Sequence, residues 1–164
     1  MFDKPLCSNY NGYNEVSLMN NNIRFPVGVH ILSLIALNKK NTNTSELLAR
    51  SVNTNPVVIR RLLSQLKQAG LVKVNAGIGG AELQRASHEI TLLDVYKAVN
   101  PNWGGDFFLL HENPNQQCYV GRNIVDALEM PLVKVNEAMA VNLAATTIAD
   151  IAAFINSRQA KAQG

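Results

Sequence analysis

Residues 55–72 read NPVVIRRLLSQLKQAGLV, an amphipathic helix whose start and stop are both written into it. Asn55 is an N-cap residue, because its side-chain oxygen can accept a bond from an otherwise unpaired N–H of the first turn. Pro56 suits the first helical position, where its fixed φ fits and its missing N–H is not needed. Gly70 is the residue expected just past the C-terminus. A helix bounded so firmly cannot merge with its neighbours, which must then be short elements of their own. Upstream, NTSELLARSV (43–52) opens with Asn43 and sets Glu46 three residues later, a capping-box spacing for a second short helix. VNTN closes that helix as a tight polar turn. Downstream, LVKVNAGIGGAELQRA (71–86) places two short β-like runs around Gly77, Gly79 and Gly80, a hairpin with a glycine tip. Two short helices joined by a tight turn and followed by a hairpin predict a winged helix-turn-helix. In such folds the second helix lies in the major groove and its N-terminal residues meet base edges.

That placement gives the adjacent Arg60 and Arg61 a task. Val57, Leu62, Leu63 and Leu66 can face the core, leaving the two arginines on the flanks, one for bases and one for phosphate. The guanidinium fork suits both, since it can bond guanine O6/N7 or a phosphate at two points. The plain alternative is a solvated face whose arginine stems lie over the core. Charge distribution favours the first reading. Residues 20–86 hold nine Lys/Arg against two Asp/Glu, whereas residues 87–164 hold five against eight, within a formal net charge of +3. A basic half joined to an acidic half suggests a polyanion-binding part and a part with another task.

The remainder organises around this unit. Residues 1–22, rich in Asn, Tyr and Ser, read as a poorly ordered leader in which Met19 is a candidate internal start. Ile23, Val27, His30/Ile31, Leu34 and Ile35 recur at helical spacing. A fourth helix is expected from Thr91, with Asp94 capping back, to about Val99. Residues 100–119 read as an irregular loop containing Pro101, Gly104, Gly105 and Pro114. Val120, Ile124, Leu128, Leu132, Val135, Met139 and Leu143 then recur by threes and fours over more than six turns. Pro131 lies inside that stripe and predicts a kink in one long helix rather than two helices. Thr146 or Thr147 caps a last helix carrying Ile148, Ile151, Ala152 and Ile155. On so small a domain the long stripe would stay exposed unless a second chain covered it, so it reads as a dimer seam. The expected fold is mostly α with a small β-hairpin wing. The winged-helix domain occupies 23–99 and the helical dimerisation region 120–158.

Cys7 and Cys118 are far apart, which excludes a disulfide framework and fits a reducing compartment. FPVGVHILSLIAL (25–37) is too short to span a bilayer and lies too deep for a signal peptide. A cytoplasmic protein with no membrane association is expected. His30 reads as a packed core histidine and His88 as a surface residue. His111 and Cys118 would make a nucleophile pair only with an orienting acid and an oxyanion device, and neither is evident. GIGGA lacks the full spacing and the following helix of a dinucleotide site. No enzyme activity and no cofactor are expected.

HILSLIAL, NPVVIRRLLSQLKQAGLV, GIGGAELQRA and ITLLDVYKAV, with NPNQQCYVGRNI and TTIADI further on, together resemble the Rrf family of winged-helix transcription regulators (BadM/IscR/YwnA type). The resemblance runs from about Asn22 to Phe154. It implies a bacterial DNA-binding homodimer, a regulator and by expectation a repressor of a palindromic operator, whose long C-terminal helix crosses its partner. By position, Asn55, Val57, Val58, Arg60 and Arg61 match the recognition helix and Ala76 through Ala81 the wing tip. Lys67 on the same helix, and Lys73 and Arg85 at the wing base, complete the expected double-stranded DNA contacts with Gly77, Gly79 and Gly80. Two positions depart from the family pattern: Ala76 stands where a basic residue is common, and Glu82 where an aromatic is. They keep open a protein-interaction module that has lost DNA binding; a small thiol enzyme using Cys118 is the second alternative. Cluster-bearing members place three cysteines before the long helix. This chain has only Cys118 there, matching YwnA-like members, so no metal is expected and Cys118 is at most a redox-sensing thiol.

Overall fold

The computed structural model describes residues 21–38, 42–75, 80–100, 104–110 and 113–162. In chain order these form α1 (Asn21–Leu37), α2 (Ser45–Val52), α3 (Pro56–Gln68), β1 (Val72–Asn75), β2 (Gly80–Leu83), α4 (Leu92–Val99), α5 (Tyr119–Ala145) and α6 (Ile148–Ala162). Most of the expected leader, Cys7 included, lies outside the described residues.

Local chemistry sets several of these boundaries. The Asn55 side chain accepts from the Val57 N–H at 2.8 Å, and Pro56 opens α3. Beyond Gln68 the chain turns at Gly70, whose φ of +70° is the left-handed value that side chains resist. Thr91 and Asp94 each accept the other's backbone N–H at 3.1 Å, a capping box for α4. Thr147, not Thr146, opens α6: its N–H donates to Asp150 at 2.8 Å and its hydroxyl accepts the Asp150 N–H at 3.2 Å.

The cap of α2 differs from expectation. Thr44 holds it, accepting the Leu47 N–H at 3.2 Å. Asn43 is instead buried in a short parallel pairing with Gly80 of β2. Its carbonyl accepts the Ala81 N–H at 2.9 Å and its side-chain amide donates to the Ala81 carbonyl at 3.1 Å. The wing reaches back to this residue, so the next residue caps the helix. β1 and β2 pair antiparallel, with Lys73 opposite Glu82 and Val74 opposite Ala81.

One apolar core joins the helices. α1 contributes Ile31, Leu32 and Ile35; α3 contributes Ile59, Leu62 and Leu66; Leu48, Val95, Val99 and Ile148 close around them. The phase of α3 corrects one assignment. Val57 is 53% exposed and Val58 only 9%, because Val58 lies one turn before Leu62 and shares its inward face. His30 is likewise exposed rather than packed, since α1 turns Ile31, Leu32 and Ile35 inward. Its Nε2 lies 3.0 Å from the Ser51 hydroxyl.

α5 is one continuous helix with Pro131 inside it. The chain returns from it beside its point of departure. The Leu92 N–H donates to the Thr146 carbonyl and the Ile148 N–H to the Ile90 carbonyl, both at 2.9 Å. Asn136 is the one buried residue of α5. Its Oδ1 accepts the N–H groups of Phe107 and Phe108 at 3.0 Å, and its Nδ2 donates to the Phe108 carbonyl and the Asp106 carboxylate at 3.1 Å. The Phe107 ring packs on Tyr96 at 4.7 Å, and Tyr96 meets Phe25 edge-on at 5.7 Å. The segment 106–108 is thus fastened to α5, α4 and α1 together. Among the described residues no helix is long and apolar enough to cross a membrane.

Candidate nucleic-acid interface

With Ile59, Leu62 and Leu66 turned inward, α3 presents Val57, Arg60, Arg61, Ser64 and Lys67 outward at spacings of one and three, all exposed. Arg61 and Lys67 form no ion pair among the described residues. Arg60 is engaged: its Nη2 donates to Glu46 Oε1 at 2.7 Å and its Nε to the Ser45 hydroxyl at 3.2 Å. The Ser45 hydroxyl also donates to Glu46 at 3.1 Å. Hydrogen bonding from its own backbone N–H, then from Arg60 and Ser45, holds the Glu46 carboxyl below the usual carboxylate range. Among the described residues the recognition helix therefore carries two cations without an ion pair, Arg61 and Lys67, and one, Arg60, folded back onto the first turn of α2.

A groove of about 440 Å³ opens between the first turn of α2, the exposed face of α3 and the wing, bordered by Thr44, Glu46, Arg60, Ser64, Lys67 and Asn75. Val58, matched to the recognition surface by resemblance, is not on this face; packing against the core withdraws it. Asn55 is exposed, but its side-chain oxygen is committed to the cap.

The wing's charges are paired. Lys73 Nζ lies 2.8 Å from Glu82 Oε2, directly across the hairpin, and Asn75 donates to the other oxygen at 3.3 Å. Glu82 in the free chain is thus neutralised by Lys73, itself one of the expected DNA contacts. Arg85 donates to the Glu89 carbonyl and lies 3.6 Å from Asp94, so its guanidinium sits at the start of α4. Gly80 has a structural reason: its φ is +64°, and a Cβ there would stand 2.7 Å from the Asn43 backbone. Ala76, Gly77 and Gly79 lie outside the described residues. Ser45, Glu46 and Ser64 were not anticipated as members of this surface. Ser64 was available to inspection, four residues beyond Arg60; Glu46 was masked by its apparent capping role.

Cys118 is exposed at the N-cap of α5. The backbone N–H of Gly121, and then that of Val120, favours its thiolate and lowers its pKa. His111 lies outside the described residues. Of the expected dimer stripe, Val120 and Val135 are exposed, while Ile124, Leu128, Leu132, Met139 and Leu143 are half-buried within the single chain. Met130, Val133 and Val141 on other faces of α5 are also exposed.

The Rrf2 family, described as iron-dependent transcriptional regulators, matches residues 22–153. YwnA of Bacillus subtilis (strain 168), described as an HTH-type transcriptional regulator, is 44% identical over 130 residues, 79% of this chain and 95% of YwnA. A crystal structure described as that of a DNA-binding protein is 41% identical with a TM-score of 0.62, covering 78% of this chain and 97% of its own. A transcriptional regulator from Lactobacillus plantarum gives 26% identity and a TM-score of 0.67, covering 82% and 90%.

Iron in the family description raises the question of a cluster. The donor set does not fit one. A [2Fe–2S] cluster ordinarily takes four protein ligands, the whole chain has two cysteines, and among the described residues no three His, Cys, Asp or Glu side chains gather to hold a metal. The matched span contains the whole helix-turn-helix, wing and long helix, and with it the exposed arginine face of α3: the chain belongs to the Rrf2 family and is a winged-helix DNA-binding transcriptional regulator.

Proposed function

We propose that the chain acts as a homodimer on a palindromic operator and represses transcription by occupying it. The observation that carries this reading is the outward face of α3, where Val57, Arg60, Arg61, Ser64 and Lys67 share one side of a firmly capped helix. On DNA, Arg61 reaches the major groove directly. Arg60 exchanges Glu46 for a base or phosphate, and Lys67 and Lys73 meet the backbone. Two such helices on a two-fold dimer address successive major grooves about 34–36 Å apart. The arm that sets this distance is α5, whose exposed Val120, Val135, Met130, Val133 and Val141 offer the apolar surface for a second copy. The name given to YwnA supports the DNA-binding part of this reading.

Selection of bound duplexes from a random pool tests it, and two inverted half-sites are the expected result. Arg60→Ala and Arg61→Ala should each weaken the selected site by about 1–3 kcal/mol where the lost contact is bidentate to a base. Where it is to phosphate, affinity should fall alike on all sequences and the salt slope should flatten by about one unit. Intact specific binding by the double variant would mean that α3 is not the reading helix.

A further inference from the structure

Lined by no residue of the arginine face, a second, partly open recess of about 410 Å³ is bordered by α1, the C-terminal end of α2 and α6. Its walls are apolar: Val29, Leu34 and Leu37 of α1 face Ile151 and Ile155 of α6. Three polar side chains interrupt them. His30 and Ser51 are bonded to each other across α1 and α2. Ser33 is different. It is 2% exposed, and its hydroxyl has no hydrogen-bond partner.

A buried hydroxyl with no partner costs free energy that a native core rarely tolerates without a reason. Here the residue that carries the unpaired group borders a recess large enough for a small molecule, within the roughly 300–1,000 Å³ usual for such sites. No Asp, Glu, Lys or Arg lines the recess. An ion placed there would lose its hydration with no countercharge in return. We propose that this recess is a binding site for a small neutral molecule with an apolar body and one hydroxyl or carbonyl group, which pairs with the Ser33 hydroxyl. The apolar body lies between Leu34, Leu37 and Ile151, with the His30–Ser51 pair beside it. An occupant touches α2 through Ser51 and α6 through Ile151 and Ile155, so it bridges the helix that carries Glu46 and the last helix. The site uses neither the DNA face nor the long helix, and binding there is measured without DNA.

The test is a ¹H–¹⁵N NMR titration of the full chain with 4-methylphenol and with toluene, two probes that differ by one hydroxyl. Saturable shifts are expected in α1 from Val29 to Leu37, at Ser51, and in α6 from Ile151 to Ile155. 4-Methylphenol should bind about three- to tenfold more tightly than toluene, the worth of one hydrogen bond. Ser33→Ala should bring the two probes level. Ile155→Trp, placed at the partly exposed edge of the recess, should weaken both while leaving the fold intact. Shifts that do not saturate, or that centre elsewhere, overturn the proposal. So does a hydroxyl preference that survives Ser33→Ala, or binding that is indifferent to Ile155→Trp. Shifts in the same residues that follow protein concentration without any probe would give the recess to a second copy of the chain and overturn it equally.

Discussion

Arg60 is held where it cannot read DNA without first leaving Glu46. The pair is exposed on both sides, and such pairs contribute little to stability, but this one sits on the reading surface. Glu46→Gln keeps the shape, removes the countercharge and releases the guanidinium. DNA affinity at low salt should rise about two- to fivefold, as fluorescence anisotropy on the selected site would show. A fall would instead give Glu46 a direct part in recognition, as an acceptor from cytosine N4. At the start of α5 the backbone N–H of Gly121, and then that of Val120, favours the Cys118 thiolate. A lowered pKa leaves more thiolate at a given pH, so the alkylation profile should shift toward lower pH. In a Cys7→Ser background, iodoacetamide modification of Cys118 should have its midpoint below that of the same chain unfolded in urea. Coincident midpoints would mark Cys118 as an ordinary thiol and remove the expectation of redox sensing.

Among the elements, those whose ends are settled by adjacent residues were legible in the sequence. Asn55, Pro56 and Gly70 bound α3, and Thr91 with Asp94 opens α4, because each bond spans only a few residues. What depended on a distant partner was not legible. Asn43 looked like a helix cap until β2 arrived beside it. Val57 and Val58 exchanged roles because the rotation of α3 is fixed by the body it packs on, and His30 left the core for the same reason. Glu46 faces Arg60 only because two helices cross. Asn136 was the least visible, since an asparagine within an apolar stripe reads as solvent-facing. It fastens the segment 106–108 through four bonds. Asn136→Leu should leave the N–H groups of Phe107 and Phe108 without their acceptor and destabilise that segment by about 1–3 kcal/mol. Faster hydrogen exchange at Phe107 and Phe108, with α3 unaffected, is the expected signature; unchanged protection there would show that the aromatic stack holds the segment alone.

At the scale of the whole molecule the division of charge and the long stripe suggest a reading unit and an arm. The half-buried state of Leu128 and Met139 refines the arm, because part of the stripe is already covered within one chain. Charges at exposed positions therefore test assembly with least damage to the fold. Val133→Glu with Val141→Glu should give monomers by analytical ultracentrifugation and much weaker binding to a two-half-site duplex, with the half-site affinity retained. A wild-type chain that is monomeric at micromolar concentration would refute the dimer. The bonds between Leu92 and Thr146 and between Ile148 and Ile90 carry one more consequence. They fasten together the places where the chain departs toward the arm and comes back from it, so everything from 100 to 145 is a detour on a unit already closed. Residues gained or lost in a detour change its reach and not the unit it leaves. In the proposed dimer, a change in the length of α5 would therefore alter the distance between paired binding sites while leaving the reading head as it is.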